Sequence, residues 1–107
     1  LFKEELAQMG RRTVDTPRKQ MGSLDMGNVS HVVPSIHPYV AVAPRPVPLH
    51  SVRFARSSGG PAGWAGLRVA TRALAGVAHT LLVDDRVLGS ARREFRAFRR
   101  RAGRKRC

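Results

Sequence analysis

Few residues in this 107-residue chain are of types that do chemistry: four histidines, seven carboxylates and one cysteine. His50 is the foremost. It follows the proline-rich stretch Pro44-Arg45-Pro46-Val47-Pro48 and opens a His-Ser-x-x-Phe run completed by Ser51 and Phe54. A neutral imidazole is a good zinc donor, and a loop can carry it to a metal from across a fold. By residue type alone, a lone loop histidine is more often a solvated side chain. Asp25 lies in Gly-Ser-Leu-Asp-Met-Gly-Asn-Val-Ser, residues 22–30. There Ser23, Asn28 and Ser30 stand among glycines that let backbones approach closely. Asp25 reads either as a helix cap or as a site carboxylate. His31, His37 and His79 read as structural, and Glu4-Glu5 as the solvated face of a helix. The single thiol, Cys107, excludes an internal disulfide framework and cysteine-rich zinc sites, and it fits a reducing compartment.

The elements that position these groups can be read from periodicity. Residues 1–10 end an amphipathic helix, with Phe2, Leu6 and Met9 at helical spacing and Gly10 as the stop. The chain begins inside this pattern, without an initiating methionine or the basic-then-apolar order of a signal peptide, which suggests a truncated start. Residues 11–20 form a polar connection broken by Pro17. Ser23 or Asp25 caps a short, weak helix that runs through Val33 and ends at Pro34. His37–Ala43 is the best strand candidate; nearly all apolar, it suits a strand buried on both faces of a parallel or mixed sheet. Pro44–Pro48 is a rigid connector. Ser57–Pro61 turns into a helix over 62–83, with Leu67, Ala70, Leu74, Val77 and Leu81 on one stripe. Asp84-Asp85 caps a second helix with Val87, Leu88, Ala91, Phe95 and Phe98 inward and arginines largely opposite.

The formal net charge is +13. It is unevenly placed: Arg86–Cys107 holds ten basic residues against Glu94, which is +9, and residues 1–85 hold ten against six, which is +4. The basicity therefore belongs to the C-terminal end. No apolar run approaches the roughly 20 residues of a membrane span, so no membrane partner is expected.

The order Gly-Ser-x-Asp-x-Gly-Asn-Val-Ser, then Val33-Pro34, Ile36-His37-Pro38-Tyr39 and His50-Ser51-x-x-Phe54, covers roughly residues 20–98. It resembles the C-terminal signature of the co-catalytic zinc metallopeptidase superfamily that contains aminoacylase and carboxypeptidase G. The similarity is greatest to its amidohydrolase-like dipeptidases, which act on dipeptides ending in basic residues. The resemblance implies an α/β fold: the C-terminal part of a mixed-sheet catalytic domain, here mostly helical with one clear strand. It implies a zinc cofactor with His50 as a ligand. Asp25, Asn28, Ser30 and Ser51 would be site-supporting, with Asp25 beside the site rather than on the metal. It also implies a dipeptide substrate, a homodimer through a lid domain encoded upstream, and a cytoplasmic location. The corresponding organisation is residues 1–20 as a helix end and connection, 21–98 as the catalytic-domain part and 99–107 as a basic tail.

The same resemblance exposes what these residues lack. The family's His-x-Asp does not occur in this sequence, and Glu4-Glu5 stands outside the context of the family's catalytic pair. Zinc catalysis takes about three protein ligands and an open position for water. His50 alone would be inactive, so no catalytic residue is assigned. The alternative is a small basic protein that acts on nucleic acid, or is directed to the nucleus, through its arginine-rich C-terminal helix.

Overall fold

The computed structural model describes residues 1–14 and 26–104, and every regular element among them is an α-helix. In chain order these are α1 (Phe2–Gln8), α2 (Met26–Ser30), α3 (Val52–Ser58), α4 (Pro61–Val83) and α5 (Asp85–Arg104). They fall into two compact units. The first comprises Leu1–Thr13 with Pro38–Ala78, and the second Val14–His37 with His79–Cys107.

The first unit is built on α4. Gly60 precedes Pro61, whose missing N–H costs nothing at the first helical position, and the Gly60 carbonyl accepts the Trp64 amide at 3.1 Å. One side of α4 is nearly stripped of side chains. Gly63 and Gly66 are buried, and Ala73 has 0% of its surface exposed. Absent side chains let neighbouring backbone come close: a Cβ on Gly66 would lie 2.7 Å from the Ala41 carbonyl oxygen and 2.8 Å from Val42 Cγ1. Leu6 of α1 is the other buried apolar residue of this small core. The helix α1 ends as the sequence implies. Gly10 takes a left-handed φ of 69°, its amide bonds the Ala7 carbonyl at 2.9 Å, and the Arg11 amide bonds Leu6 at 2.9 Å. Glu4 is exposed, but Glu5 is half-buried, its carboxylate against Gly76 of α4 rather than fully in water.

The expected α/β class is corrected. Among the described residues there is no strand and no sheet, and His37–Ala43 runs without regular structure. Strand propensity reports a fit to a pleated surface made by neighbours, and no described segment pairs with this one. Pro38, Pro44, Pro46 and Pro48 also remove N–H donors that a ladder needs. The segment is held by other means: Ser57 Oγ of α3 donates to the Val42 carbonyl at 2.8 Å, and Gly66 of α4 closes on Ala41 and Val42. The Arg45–Pro46 peptide is cis.

In the second unit, Asp84 separates the last turns of α4 from α5. Its amide bonds the Thr80 carbonyl at 2.9 Å while its carboxylate Oδ1 accepts the Arg86 amide at 2.9 Å, so it closes one helix and caps the next. The basic residues 99–104 continue α5 as helix. The short helix α2 is one turn, shorter than the run through Val33 that its sequence suggests. Ser30 Oγ bonds back to the Gly27 carbonyl at 2.6 Å, and the turn residues that follow bond to Asn28 and Val29.

Candidate functional site

His50 stands at the exposed end of the proline-rich loop, immediately before α3. Its backbone is left-handed, with φ of 59°, alone in this among the described non-glycine residues. That conformation costs an L-residue roughly 1–2 kcal/mol, although histidine tolerates it better than most side chains do. It persists because the residues on either side are fixed. Ser51, in extended backbone, caps α3: its hydroxyl accepts the Phe54 amide at 3.1 Å and donates to the Pro48 carbonyl at 2.7 Å. Phe54 is half-buried and anchors the first turn. His50 thus lies inside the turn that the Ser51-to-Pro48 bond closes, and its side chain is exposed.

The short helix α3 went unforeseen in the sequence reading. Its signal was the serine at position 51, three residues ahead of a backbone amide it could cap, in a stretch whose arginines and serines give no apolar period. Ser51 therefore has a direct structural role: it caps α3 and closes the turn that contains His50.

The remaining candidates separate. Asn28 is exposed on α2 and Ser30 is half-buried with its hydroxyl engaged by Gly27; both belong to the second unit. Asp25, with Gly22 and Ser23, lies outside the described residues. His31, His37 and His79 are exposed.

Among the described residues no three His, Cys, Asp or Glu side chains gather to hold a metal. His50 alone does not make a zinc site, since a structural or catalytic zinc takes three or four protein donors. What the first unit offers is one presented imidazole. It also has a small cavity of about 110 Å³, lined by Leu6, Tyr39, Val40 and Val69 with Arg11 and Arg12 at its edge. None of the residues singled out for chemistry lines it. No described helix is long and apolar enough to cross a membrane. The sequence matches no family model and no curated relative, and the fold matches no solved structure.

Proposed function

We propose that this chain is the C-terminal portion of a zinc-dependent peptide or amide hydrolase, with His50 as its contribution to the metal. The motif run from Gly22 to Phe54 supports the aminoacylase and carboxypeptidase G type. Within that type, the dipeptidases for dipeptides ending in a basic residue are the nearest.

The observation that carries the reading is the conformation of His50. A non-glycine residue kept left-handed by fixed neighbours marks a position where geometry is held against local preference, and such positions concentrate at functional sites. A metal ligand gains from a backbone held in one conformation, because the donor nitrogen must arrive in one orientation. The other donors come, on this proposal, from outside the 107 residues, together with the general base. Apolar side chains left in water, such as Trp64 and Leu67 on α4, fit a chain that packs against further polypeptide.

Two measurements test the proposal. The purified chain, supplied with zinc and a dipeptide ending in lysine, is expected to give no hydrolysis. Zinc-dependent turnover by the chain alone would sink the claim that its site is incomplete. In a longer polypeptide carrying a His-x-Asp and a Glu-Glu pair ahead of Leu1, zinc-dependent hydrolysis is expected and His50→Ala should abolish it. Full activity in that variant would remove His50 from the metal.

A further inference from the structure

We infer that the arginine face of α5 is a binding surface for a nucleic-acid duplex, gripped through its phosphates without base readout. This surface is independent of His50 and of the hydrolase reading. Between Asp85 and Arg104 there are eight arginines, no lysine and two carboxylates, a net +6. At 3.6 residues per turn, Arg86, Arg93, Arg100 and Arg104 fall in one row and Arg92, Arg96 and Arg99 in a second beside it. All are exposed. Asp85 sits at the first turn and Glu94 at the margin of the face, so neither interrupts the rows beyond their start. The other residues in this arc are small, Gly89, Ser90, Ala97 and Gly103, so nothing bulky holds a rod-like partner away.

These arginines are not used up internally. Among the described residues, α5 makes one ion pair, Arg86 to Asp84 at 3.7 Å, and Arg99 lies over the Phe95 ring at 5.9 Å. Arg92, Arg93, Arg96, Arg100 and Arg104 form no ion pair with another described residue. The guanidinium fork matches phosphate oxygens two at a time, which a lysine cannot do. The helix is about 30 Å long, over which a duplex presents roughly one phosphate per 1.7 Å of axis. The face carries no asparagine, glutamine or aromatic side chain to read adenine edges or stack on bases, which leaves the phosphates as the common target of its arginines.

An anionic membrane is the competing partner, since basic amphipathic helices also adsorb to bilayers. That mode buries the apolar face in the lipid. Here Val87, Leu88, Ala91, Phe95 and Ala102 are already half-buried, and of the large apolar residues on that face only Phe98 is exposed, at 54%. The side left for a partner is the charged one.

Anisotropy titration of a short labelled DNA duplex of arbitrary sequence tests this. With four or five phosphates engaged, affinity should fall about a hundredfold or more between about 50 and 200 mM salt. A duplex of shuffled sequence should bind equally. The variant Arg93→Gln/Arg96→Gln/Arg100→Gln keeps helix propensity, which circular dichroism verifies, and should reduce the salt slope by about 3. Binding without salt dependence, or an unchanged slope in this variant, overturns the assignment. So does tighter binding to phosphatidylserine-containing vesicles than to the duplex, lost in Phe98→Ser.

Discussion

The Ser51 hydroxyl accepts the Phe54 backbone amide at 3.1 Å, and this bond starts the helix that follows the left-handed His50. Because the same hydroxyl donates to the Pro48 carbonyl at 2.7 Å, one side chain ties the loop to the helix. Ser51→Ala removes both bonds. It should cost about 1 kcal/mol in urea unfolding, the usual value of a helix cap, while Ser51→Asn or Ser51→Thr recovers much of the loss. Equal stability of Ser51→Ala and the parent chain would show that the loop does not depend on this tie.

Strain at His50 predicts opposite effects of two substitutions. Glycine accepts φ of 59° without a Cβ penalty, so His50→Gly should leave stability unchanged or raise it slightly. A β-branched side chain is at its worst there, so His50→Val should destabilise by roughly 1–2 kcal/mol. Thermal melts of both variants decide the matter. A stable, folded His50→Gly chain is also the cleanest background for asking whether the imidazole binds zinc, because loss of metal could not then be blamed on loss of fold.

The glycines make a second internal contrast. At Gly66 an added methyl meets the Ala41 carbonyl at 2.7 Å and Val42 Cγ1 at 2.8 Å, one of them backbone that cannot swing away. Gly66→Ala should therefore destabilise the first unit by about 1–3 kcal/mol, the range for overpacking. At Gly103 nothing lies within 4 Å, and the residue is in the last turn of α5. Gly103→Ala should raise the helicity at that end of α5, with a gain of at most about 0.5 kcal/mol, the lower end of the range for a helix interior. Circular dichroism and urea midpoints on the two variants should move in opposite directions.

The two long helices were legible because their apolar residues recur at helical spacing and their boundaries carry punctuation, Gly60-Pro61 before α4 and Asp84 between α4 and α5. The stop of α1 at Gly10 was legible for the same reason. The segment His37–Ala43 was misread because β-branched and aromatic residues favour a strand only where a neighbouring strand exists, a property of the whole fold that no local pattern carries. The helix α3 was missed because its start rests on a single serine hydroxyl. His50 stood out through its motif, but its left-handed backbone depends on the turn closed by its neighbours' hydrogen bonds and has no signature in composition. The arginines of α5 were visible as a charge run largely opposite the apolar residues of a helix; what the structure adds is that they find few carboxylates among the described residues.

The exposed side of α4 leads to the last prediction. Trp64, Leu67 and Leu74 are 63%, 54% and 50% exposed, and with Thr71 and Ala78 they follow at alternating spacings of three and four on the arc that borders the side of Gly66 and Ala73. That spacing is the seam of paired helices, and a contiguous apolar strip in water drives association. At micromolar concentrations the isolated chain should therefore self-associate, seen as a concentration-dependent sedimentation coefficient. Leu67→Gln/Leu74→Gln should shift the distribution toward monomer with an unchanged circular dichroism spectrum, since neither side chain contributes to the buried side of the helix and glutamine is a good helix former. Association that persists unaltered in this variant would place the contact elsewhere. A monomeric parent chain would remove the strip as a surface for self-association.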